Sequence, residues 1–223
     1  MFDLRVKTPS RILVVGPSQS GKTHRVFQFL KYRDSIFDKP ECADPEHVYC
    51  FYKIWTDVFE KNKNLVGHWI NKYPSASDLE EIGALFKNKG GCCILIDDWE
   101  ERLNSVIADF FKNLSHHLNI TTFLILQSLF PQQSVARQIS LQASHIVIFF
   151  NRRDKKQFSN FANQYSPKNI HYLLDAYKLI AQEPHSYLWF DCMSDSDPLT
   201  CVRSHISLEE WPIRVYHEKS KFE

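Results

Sequence analysis

The sequence predicts an α/β fold in which a mainly parallel sheet carries helices on both faces. Short, continuous apolar runs alternate along the chain with stretches whose apolar residues recur every three or four positions. Continuous apolar runs are typical of strands buried on both faces, and strand–helix alternation is typical of parallel sheets. A glycine-containing loop follows the first run, and two acids end a later one, at the edge where ligands bind in such sheets.

Six apolar runs are predicted to form strands. They cover residues 11–15, 47–52, 92–96, 121–126, 145–150 and 186–190. The first five are continuous, as expected for strands inside the sheet. We expect residues 1–223 to form one domain, with a C-terminal strand extension at about 186–206, since no low-complexity linker interrupts the chain.

Several of the segments between these runs have apolar residues at helical spacing. Ser77-x-x-Glu80 has the form of a capping box and predicts the start of a helix whose apolar face lies within 79–86. Apolar residues at helical spacing predict a second helix of three turns over 103–114. Residues 168–182, which follow Pro167, are predicted to form a third.

Composition excludes several classes of protein. The 223 residues are 43% hydrophobic and 24% charged, which is typical of globular chains and not of disordered, collagenous or coiled-coil ones. The longest apolar runs are too short to cross a bilayer, and Met1–Lys7 lacks the apolar core of a secretory signal. The six cysteines form no C-x-x-C pair, so they are predicted to be free, buried thiols in a reducing, intracellular compartment.

Charge is distributed in blocks along the chain, although the net charge is only +1. Residues 1–33 carry seven basic residues and one acidic residue, and residues 34–60 carry two basic and seven acidic ones. Residues 105–156 carry six basic and two acidic residues. These blocks are compatible with a local basic surface for nucleic acid, but the net charge does not predict one.

The loop after the first strand has the sequence of a phosphate-binding loop. Residues 16–23, Gly-Pro-Ser-Gln-Ser-Gly-Lys-Thr, match G-x-x-x-x-G-K-[ST] in full, between a strand and a helix. Glycines let successive N–H groups converge on phosphate oxygens, the lysine adds a positive charge, and the threonine hydroxyl can bind Mg²⁺. The predicted nucleotide-binding residues are Gly16, Pro17, Ser18, Gln19, Ser20, Gly21, Lys22 and Thr23.

Two acids follow the third strand. Asp97 is the candidate ligand for Mg²⁺ together with Thr23, and Asp98 is the candidate general base. Two adjacent acids at a strand end can also form a solvated turn. The loop upstream favours the catalytic interpretation, and with it a P-loop NTPase of the RecA/ASCE-like type, in which an extra strand separates the loop strand from the acid strand.

The next strand ends in Gln127, whose amide is a candidate contact to the γ-phosphate or the attacking water. Arg137, in a predicted short helix at 134–140, and Arg153, in a basic cluster after the fifth strand, are candidate arginine fingers. Either arginine could instead hold DNA phosphates or be a solvated surface residue. Neither N-K-x-D nor a D-x-x-G after Asp97 is present, which disfavours GTPases.

Several motifs occur in the order found in one family. The chain resembles the DNA-packaging ATPases of the FtsK/HerA superfamily from poxvirus-like large DNA viruses, virophages, adintoviruses and Polinton/Maverick transposons, from about residue 9 to about residue 192. Those proteins carry G-P-S-G-S-G-K-T, L-I-D-D-L, S-H-H, T-Q-N-L-F, R-x-I-S and F-x-N-x-R-D-K-x-Q. The corresponding segments here are 16–23, Leu95–Trp99, Ser115–His117, Leu126–Phe130, Arg137–Ser140 and Phe149–Gln157.

The resemblance implies a ring-shaped, ATP- and Mg²⁺-dependent motor that drives double-stranded DNA into a capsid. The chain length predicts a motor core without a fused nuclease. It implies that the ring is a homo-oligomer at a capsid or portal vertex in the host nucleus or cytoplasm, with no membrane partner. It makes Gln127 the sensor, and Arg137 and Arg153 the best finger candidates. Gln19 replaces a loop glycine of the family, Ser128 its asparagine and Trp99 its leucine.

Three other functions stay open at this stage. A small-molecule kinase and a DNA helicase of the same superfamily both use this loop. A nucleotide-binding scaffold that hydrolyses nothing would also carry it. Product analysis, strand separation and turnover distinguish the three.

Overall fold

A nine-strand mixed sheet forms the centre of the molecule. The structure is a computed structural model, and it describes residues 3–129, 134–210 and 212–218. Phe130 of the predicted motif lies outside the described residues. The strands are β1 Arg11–Val15, β2 Val48–Tyr52, β3 His68–Ile70, β4 Cys92–Asp97, β5 Ile120–Leu126, β6 His145–Phe149, β7 Tyr187–Asp191, β8 Val202–Ser204 and β9 Arg214–Tyr216.

The strand order is β3-β2-β4-β5-β1-β6-β7-β8-β9. The six strands from β3 to β6 in this order run parallel, and β7, β8 and β9 are added antiparallel. The predicted α/β class with a mainly parallel sheet is therefore confirmed. Strand β5 lies between β1 and β4, as the RecA/ASCE-like prediction requires.

Nine α-helices are found among the described residues. They are α1 Lys22–Lys31, α2 Arg33–Ile36, α3 Asp57–Lys61, α4 Ala76–Phe86, α5 Ser105–Asp109, α6 Ser115–His117, α7 Ser134–Gln142, α8 Lys155–Tyr165 and α9 Ile170–Ile180. Short 3₁₀ turns occupy Pro40–Ala43, Pro45–His47, Lys63–Leu65, Glu100–Arg102 and Leu208–Glu210. None of the described helices is both long and apolar enough to cross a lipid bilayer.

Two apolar layers cover the sheet, one on each face. Alternate residues of β1 point to opposite layers: Leu13 and Val15 belong to the layer that contains α4, α5, α8 and α9, and Ile12 and Val14 to the layer beneath α1. All four are fully or almost fully buried. Each face thus buries a separate core, which explains why the strands read as continuous apolar runs.

Two of the helix predictions were wrong in detail. The capping box of α4 is formed by Ser75 and Asp78, not by Ser77 and Glu80: Ser75 Oγ accepts from the Asp78 N–H, and Asp78 Oδ2 accepts from the Ser75 N–H. Helix α5 begins after an Asn104 cap, and a π-helical segment, Phe110–Leu114, separates it from α6. The extra residue of a π turn breaks the spacing from which one regular helix was predicted.

Three strands were not predicted. Each of β3, β8 and β9 has only three residues, and each contains a polar side chain that interrupts the apolar run. In β8 that side chain is Arg203, which is buried and donates to the Leu4 carbonyl oxygen. Short strands of this kind, at or next to the edges of the sheet, are defined by pairing with a neighbour, which the local sequence does not show.

The C-terminal part of the chain is fastened to α1. Arg25 and Glu210 form an ion pair at 2.9 Å with both side chains largely buried. Glu210 also accepts from the Tyr187 hydroxyl at 2.8 Å and from the Ser207 hydroxyl at 2.9 Å. The helix that follows the phosphate-binding loop is therefore held by both β7 and the segment after β8.

Four of the six cysteines are buried thiols, as predicted: Cys42, Cys50, Cys92 and Cys93. The last three lie on β2 and β4, in the middle of the sheet. Burial raises the pKa of Cys42 and of Cys92 to about 12, so these thiols stay protonated at neutral pH. Cys201 is half-buried and Cys192 is exposed.

The corrected cap of α4 gives a stability prediction. We expect Ser75→Ala to lower the free energy of unfolding by about 1 kcal/mol, because it removes the acceptor for the Asp78 N–H. Ser77→Ala makes the same change two residues away, where the hydroxyl contacts only Ser75 Oγ, and should cost less than half as much. Urea unfolding of both variants measures the difference. Equal losses would contradict the assigned cap.

Candidate functional site

The carboxyl ends of three parallel strands bring the loop, the two acids and Gln127 to one edge of the sheet. The phosphate-binding loop follows β1, the acids end β4, and Gln127 follows β5. An open cleft of about 290 Å³ lies there. Its described lining residues are Ser18, Gln19, Lys22, Thr23, Lys53, Ile54, Thr56, Phe59, Asp97, Asp98, Ile125, Leu126 and Gln127.

The loop conformation depends on its two glycines. A Cβ at Gly16 would lie 2.6 Å from Phe149 Cβ and 2.9 Å from Ser20 Oγ, so only glycine fits between β6 and the loop. Gly21 adopts φ 96° at the start of α1. Gln19 also has a left-handed backbone, φ 63°, at the position where the resembling family has glycine. A non-glycine residue there costs about 1 kcal/mol, so this loop stores strain.

Lys22 folds back over the loop. Its Nζ donates to the carbonyl oxygens of Gly16 and Pro17 at 2.7 and 2.8 Å. The residue is only 8% exposed, and burial lowers the pKa of its ammonium, an effect opposed by the charges of Asp97, Glu100 and Asp98. The lysine therefore places a positive charge between the loop and the acids.

The predicted metal-binding pair is in direct contact. Thr23 Oγ1 donates to Asp97 Oδ2 at 3.0 Å, across the end of β5. Asp97 is buried, and this burial raises the pKa of its carboxyl to about 6, while the hydrogen bond from Thr23 and the charge of Lys22 act in the opposite direction. The charged form of Asp97 thus lacks sufficient compensation from the protein alone.

Asp98 and Gln127 form a second pair at the surface of the cleft. Both residues are exposed, and Gln127 Nε2 donates to Asp98 Oδ1 at 3.3 Å. Asp98 has φ 61°, a left-handed conformation that turns its side chain away from that of Asp97 after the strand ends. Strained backbone of this type is frequent at active sites. The adjacent acids are therefore separated into one buried and one exposed carboxylate.

Glu100 is a site residue that the sequence analysis missed. Its Oε2 accepts from the Gln127 N–H at 2.6 Å, and burial raises the pKa of the carboxyl. The contact joins the turn after β4 to the end of β5. The sequence feature that could have indicated Glu100 is its position, an acid two residues after Asp98 in a segment that leads into an apolar helix.

His185 was also missed. It lies in the turn between α9 and β7, and its Nδ1 is 3.1 Å from the Ser20 carbonyl oxygen. Its imidazole packs against Gly21 so closely that a Cβ there would lie 3.1 Å from Nδ1. Nothing in the local sequence pairs this turn with the loop, because the contact spans 165 residues.

Neither predicted arginine belongs to the cleft lining. Arg137 lies on α7 and Arg153 precedes α8, and both are exposed. Among the described residues, neither guanidinium has an acidic partner. The geometry thus brings together the loop, both acids and Gln127, while the two arginines face solvent.

The donors present fit a magnesium nucleotide. Thr23 and Asp97 offer a hydroxyl and a carboxylate, the hard oxygen ligands that Mg²⁺ takes alongside water and phosphate oxygens. Ser20 Oγ is buried in the loop without a hydrogen-bond partner. Within the described part of the chain, no cluster of three or more His, Cys, Asp or Glu side chains could hold a metal by itself. A metal held by Thr23 and Asp97 would take its other ligands from water or from the nucleotide.

Solved structures provide the comparison. The cytoplasmic domain of the type VII secretion ATPase EccC from Thermomonospora curvata is similar over 95% of this chain, with a TM-score of 0.50 and 9% identity. ATPases 2 and 3 of EssC from Geobacillus thermodenitrificans are similar over 67%, with a TM-score of 0.47 and 9% identity. This chain spans 24% and 34% of those chains. No protein-family model and no curated protein matches the sequence.

At 9% identity the likeness to EccC concerns the fold. This similarity, the strand order and the position of the loop together show that the chain has the fold of P-loop NTPases, with a mostly parallel nine-strand sheet. The roles of the individual site residues come from the geometry given above.

The buried carboxyl gives a prediction for stability against pH. Because the folded protein binds the Asp97 proton more tightly than the unfolded chain does, the free energy of unfolding should fall as pH rises from 3.8 to about 6. Asp97→Asn removes this loss, and we expect it to be more stable than wild type at neutral pH by on the order of 3 kcal/mol.

Asp98→Asn is the matched control, since it neutralises the adjacent, exposed carboxylate. Urea unfolding across this pH range should show an excess stability of Asp97→Asn that shrinks as the pH falls toward 3.8. Identical stabilities of the two variants at neutral pH would show that Asp97 carries no such cost.

Proposed function

We propose that this chain binds ATP with Mg²⁺, hydrolyses it, and uses the energy to move double-stranded DNA into a viral or virus-like capsid. The ATPase part of this proposal rests on the 3.0 Å hydrogen bond between Thr23 and Asp97, which lies beside Lys22 and the Asp98–Gln127 pair. A complete loop after one strand and two acids at the end of another are what nucleotide hydrolysis requires. The DNA-packaging part is supported by the order of the motifs.

The loop and α1 bind the phosphates. Backbone N–H groups of residues 16–23 and the N-terminus of α1 favour negative charge at the carboxyl end of β1. Lys22 exchanges its two carbonyl acceptors for phosphate oxygens, a short movement because its Nζ already lies over the loop. Thr23 and Asp97 would hold Mg²⁺, which when bound neutralises phosphate charge and polarises the γ-phosphate.

Asp98 and Gln127 act on the water that attacks the γ-phosphate. The exposed Asp98 carboxylate can accept the proton of that water, and the Gln127 amide, which lies 3.3 Å from it, can orient the oxygen. Asp97 stays with the metal, because its carboxylate is buried against Thr23. The two neighbouring acids therefore have separate roles set by their burial.

DNA contact is supported by a cluster of exposed cations at the same edge of the sheet. Arg152, Arg153, Lys155 and Lys156 are all exposed and lie between the end of β6 and the first turn of α8. Cations so spaced can contact backbone phosphates without reading bases. Duplex DNA is the partner that the resemblance implies, and this proposal assigns it to the exposed cations.

A homo-oligomeric ring would complete the site. Charge developing on the transferred phosphate is commonly met by an arginine from a neighbouring subunit. Arg137 and Arg153 are exposed and lie outside the cleft, so either can serve as that finger from a second copy. We propose that the ring assembles at a capsid or portal vertex in the host nucleus or cytoplasm.

Phosphate release from ATP, with and without duplex DNA, tests the enzymatic part. We expect wild-type turnover to rise with DNA and Lys22→Ala to lose at least on the order of a hundredfold, because it removes the phosphate-binding charge. Asp98→Asn should keep nucleotide affinity and lose turnover by a similar factor. Asp109→Asn, the same change on an exposed helix carboxylate outside the cleft, is the control.

The other outcomes identify the rival functions. A phosphorylated small molecule would show a kinase, and strand separation would show a helicase. Nucleotide binding without turnover, on DNA or in the assembled ring, would show a scaffold. Equal loss of nucleotide affinity in Asp98→Asn would mean that the roles of Asp97 and Asp98 are exchanged.

The cation cluster gives a separate prediction. We expect Lys155→Ala/Lys156→Ala to weaken duplex binding and to reduce the slope of log affinity against log salt concentration by up to about 2, since each phosphate contact contributes about 0.9. Lys87→Ala/Lys89→Ala removes two exposed lysines at the opposite edge of the sheet, before β4, and should leave the slope unchanged. Equal slopes in the two double variants would exclude this surface.

A further inference from the structure

Residues 151–157, between the end of β6 and the first turn of α8, direct some side chains to solvent and others toward the site. The cations at 152, 153, 155 and 156 are exposed, whereas Asn151, Asp154 and Gln157 are partly buried and hydrogen-bonded inward. The resemblance includes these positions as a motif but assigns no role to the inward ones. Their contacts in the structure lead to the end of β5.

Gln157 reaches from α8 to the backbone that follows Gln127. Its Oε1 accepts from the Leu129 N–H at 3.0 Å and from the Ser128 hydroxyl at 3.1 Å. One carbonyl oxygen thus fixes two consecutive residues beside the candidate sensor. Leu129 is 5% exposed, so its N–H depends on an acceptor from the protein.

Gln157 is itself held in place. Asp154 Oδ1 caps α8 by accepting from the Gln157 N–H at 3.1 Å. Asn151 Oδ1 accepts from the N–H groups of Arg153 and Asp154, and the Asn151 N–H donates to the Tyr177 hydroxyl at 2.8 Å. The first turn of α8 is therefore rigidly joined to the end of β6 and to α9.

The backbone at the end of β5 is held by hydrogen bonds to side chains from two different segments. Glu100, after β4, accepts from the Gln127 N–H, and Gln157, after β6, holds residues 128 and 129. Gln127 lies between these anchors, and its amide makes the 3.3 Å contact with Asp98. A shift of this backbone by about an ångström would move the amide from the position that the attacking water requires.

We propose that Gln157 is a positioning residue for ATP hydrolysis: through Leu129 and Ser128 it fixes the Gln127 amide relative to Asp98. The inference rests on the proposed ATPase function. Gln157 is not among the described residues that line the cleft; it lines a small neighbouring pocket together with Gly16 and Gln127. In this proposal it acts through the end of β5. Its loss should lower kcat and leave nucleotide affinity unchanged.

Three variants test this assignment. Gln157→Met keeps the length of the side chain and removes the acceptor, whereas Gln157→Glu keeps an Oε1 acceptor. Gln164→Met makes the first change at an exposed position on the same helix and serves as the matched control. We expect Gln157→Met to lower kcat by about tenfold or more with KM and nucleotide Kd within about twofold. Gln157→Glu should recover turnover to within a few-fold of wild type.

Amide hydrogen exchange at Leu129 gives a readout that does not need turnover. Exchange should accelerate in Gln157→Met and stay slow in Gln157→Glu and Gln164→Met, because only the first lacks the acceptor. Faster exchange with unchanged kcat in an active enzyme would overturn the positioning role, as would slow exchange in Gln157→Met. Absence of turnover in wild type under all conditions, with the exchange pattern as expected, would instead overturn the proposed ATPase function.

Discussion

A hydrogen bond between a side chain at the start of α1 and one at the end of β4 organises the site. β1 and β4 are not neighbours, since β5 lies between them, and strands spaced about 4.8 Å apart leave their ends about 10 Å from each other. Thr23 at the start of α1 and Asp97 at the end of β4 close this gap with a 3.0 Å contact. The intervening strand must therefore end where it does, and Gln127 emerges directly beside the contact.

The same constraint accounts for the unfavourable features around the cleft. Asp97 must be buried to reach Thr23, and burial raises the pKa of its carboxyl. The chain then has to turn sharply so that Asp98 faces solvent, which requires a left-handed backbone at a non-glycine residue. Gln19, in the phosphate-binding loop, is a second non-glycine residue with a left-handed backbone. The two apolar layers on either side of the sheet supply the stabilisation that offsets these free-energy costs.

Much of this arrangement follows from sequence alone, and the exceptions have a common cause. The loop, the two acids and Gln127 could be predicted because each ends an apolar strand whose direction is fixed in a parallel sheet. Glu100, Gln157 and His185 could not, because each acts through a contact between segments distant in sequence. The cap at Ser75 was missed for another reason: the pattern at Ser77 and Glu80 matched the capping-box consensus, whereas the hydrogen bonds show that Ser75 and Asp78 form the box.

The thiols within the sheet give the fold an internal reporter. Cys50, Cys92 and Cys93 lie on adjacent strands, fully covered by the layers on both faces. Since alkylating reagents react with the thiolate, these side chains are inert until water reaches β2 and β4. Their labelling rate then measures opening of the centre of the sheet, separately from fraying at β9. The molecule therefore carries its own probe of whether events in the cleft loosen the strands beneath it.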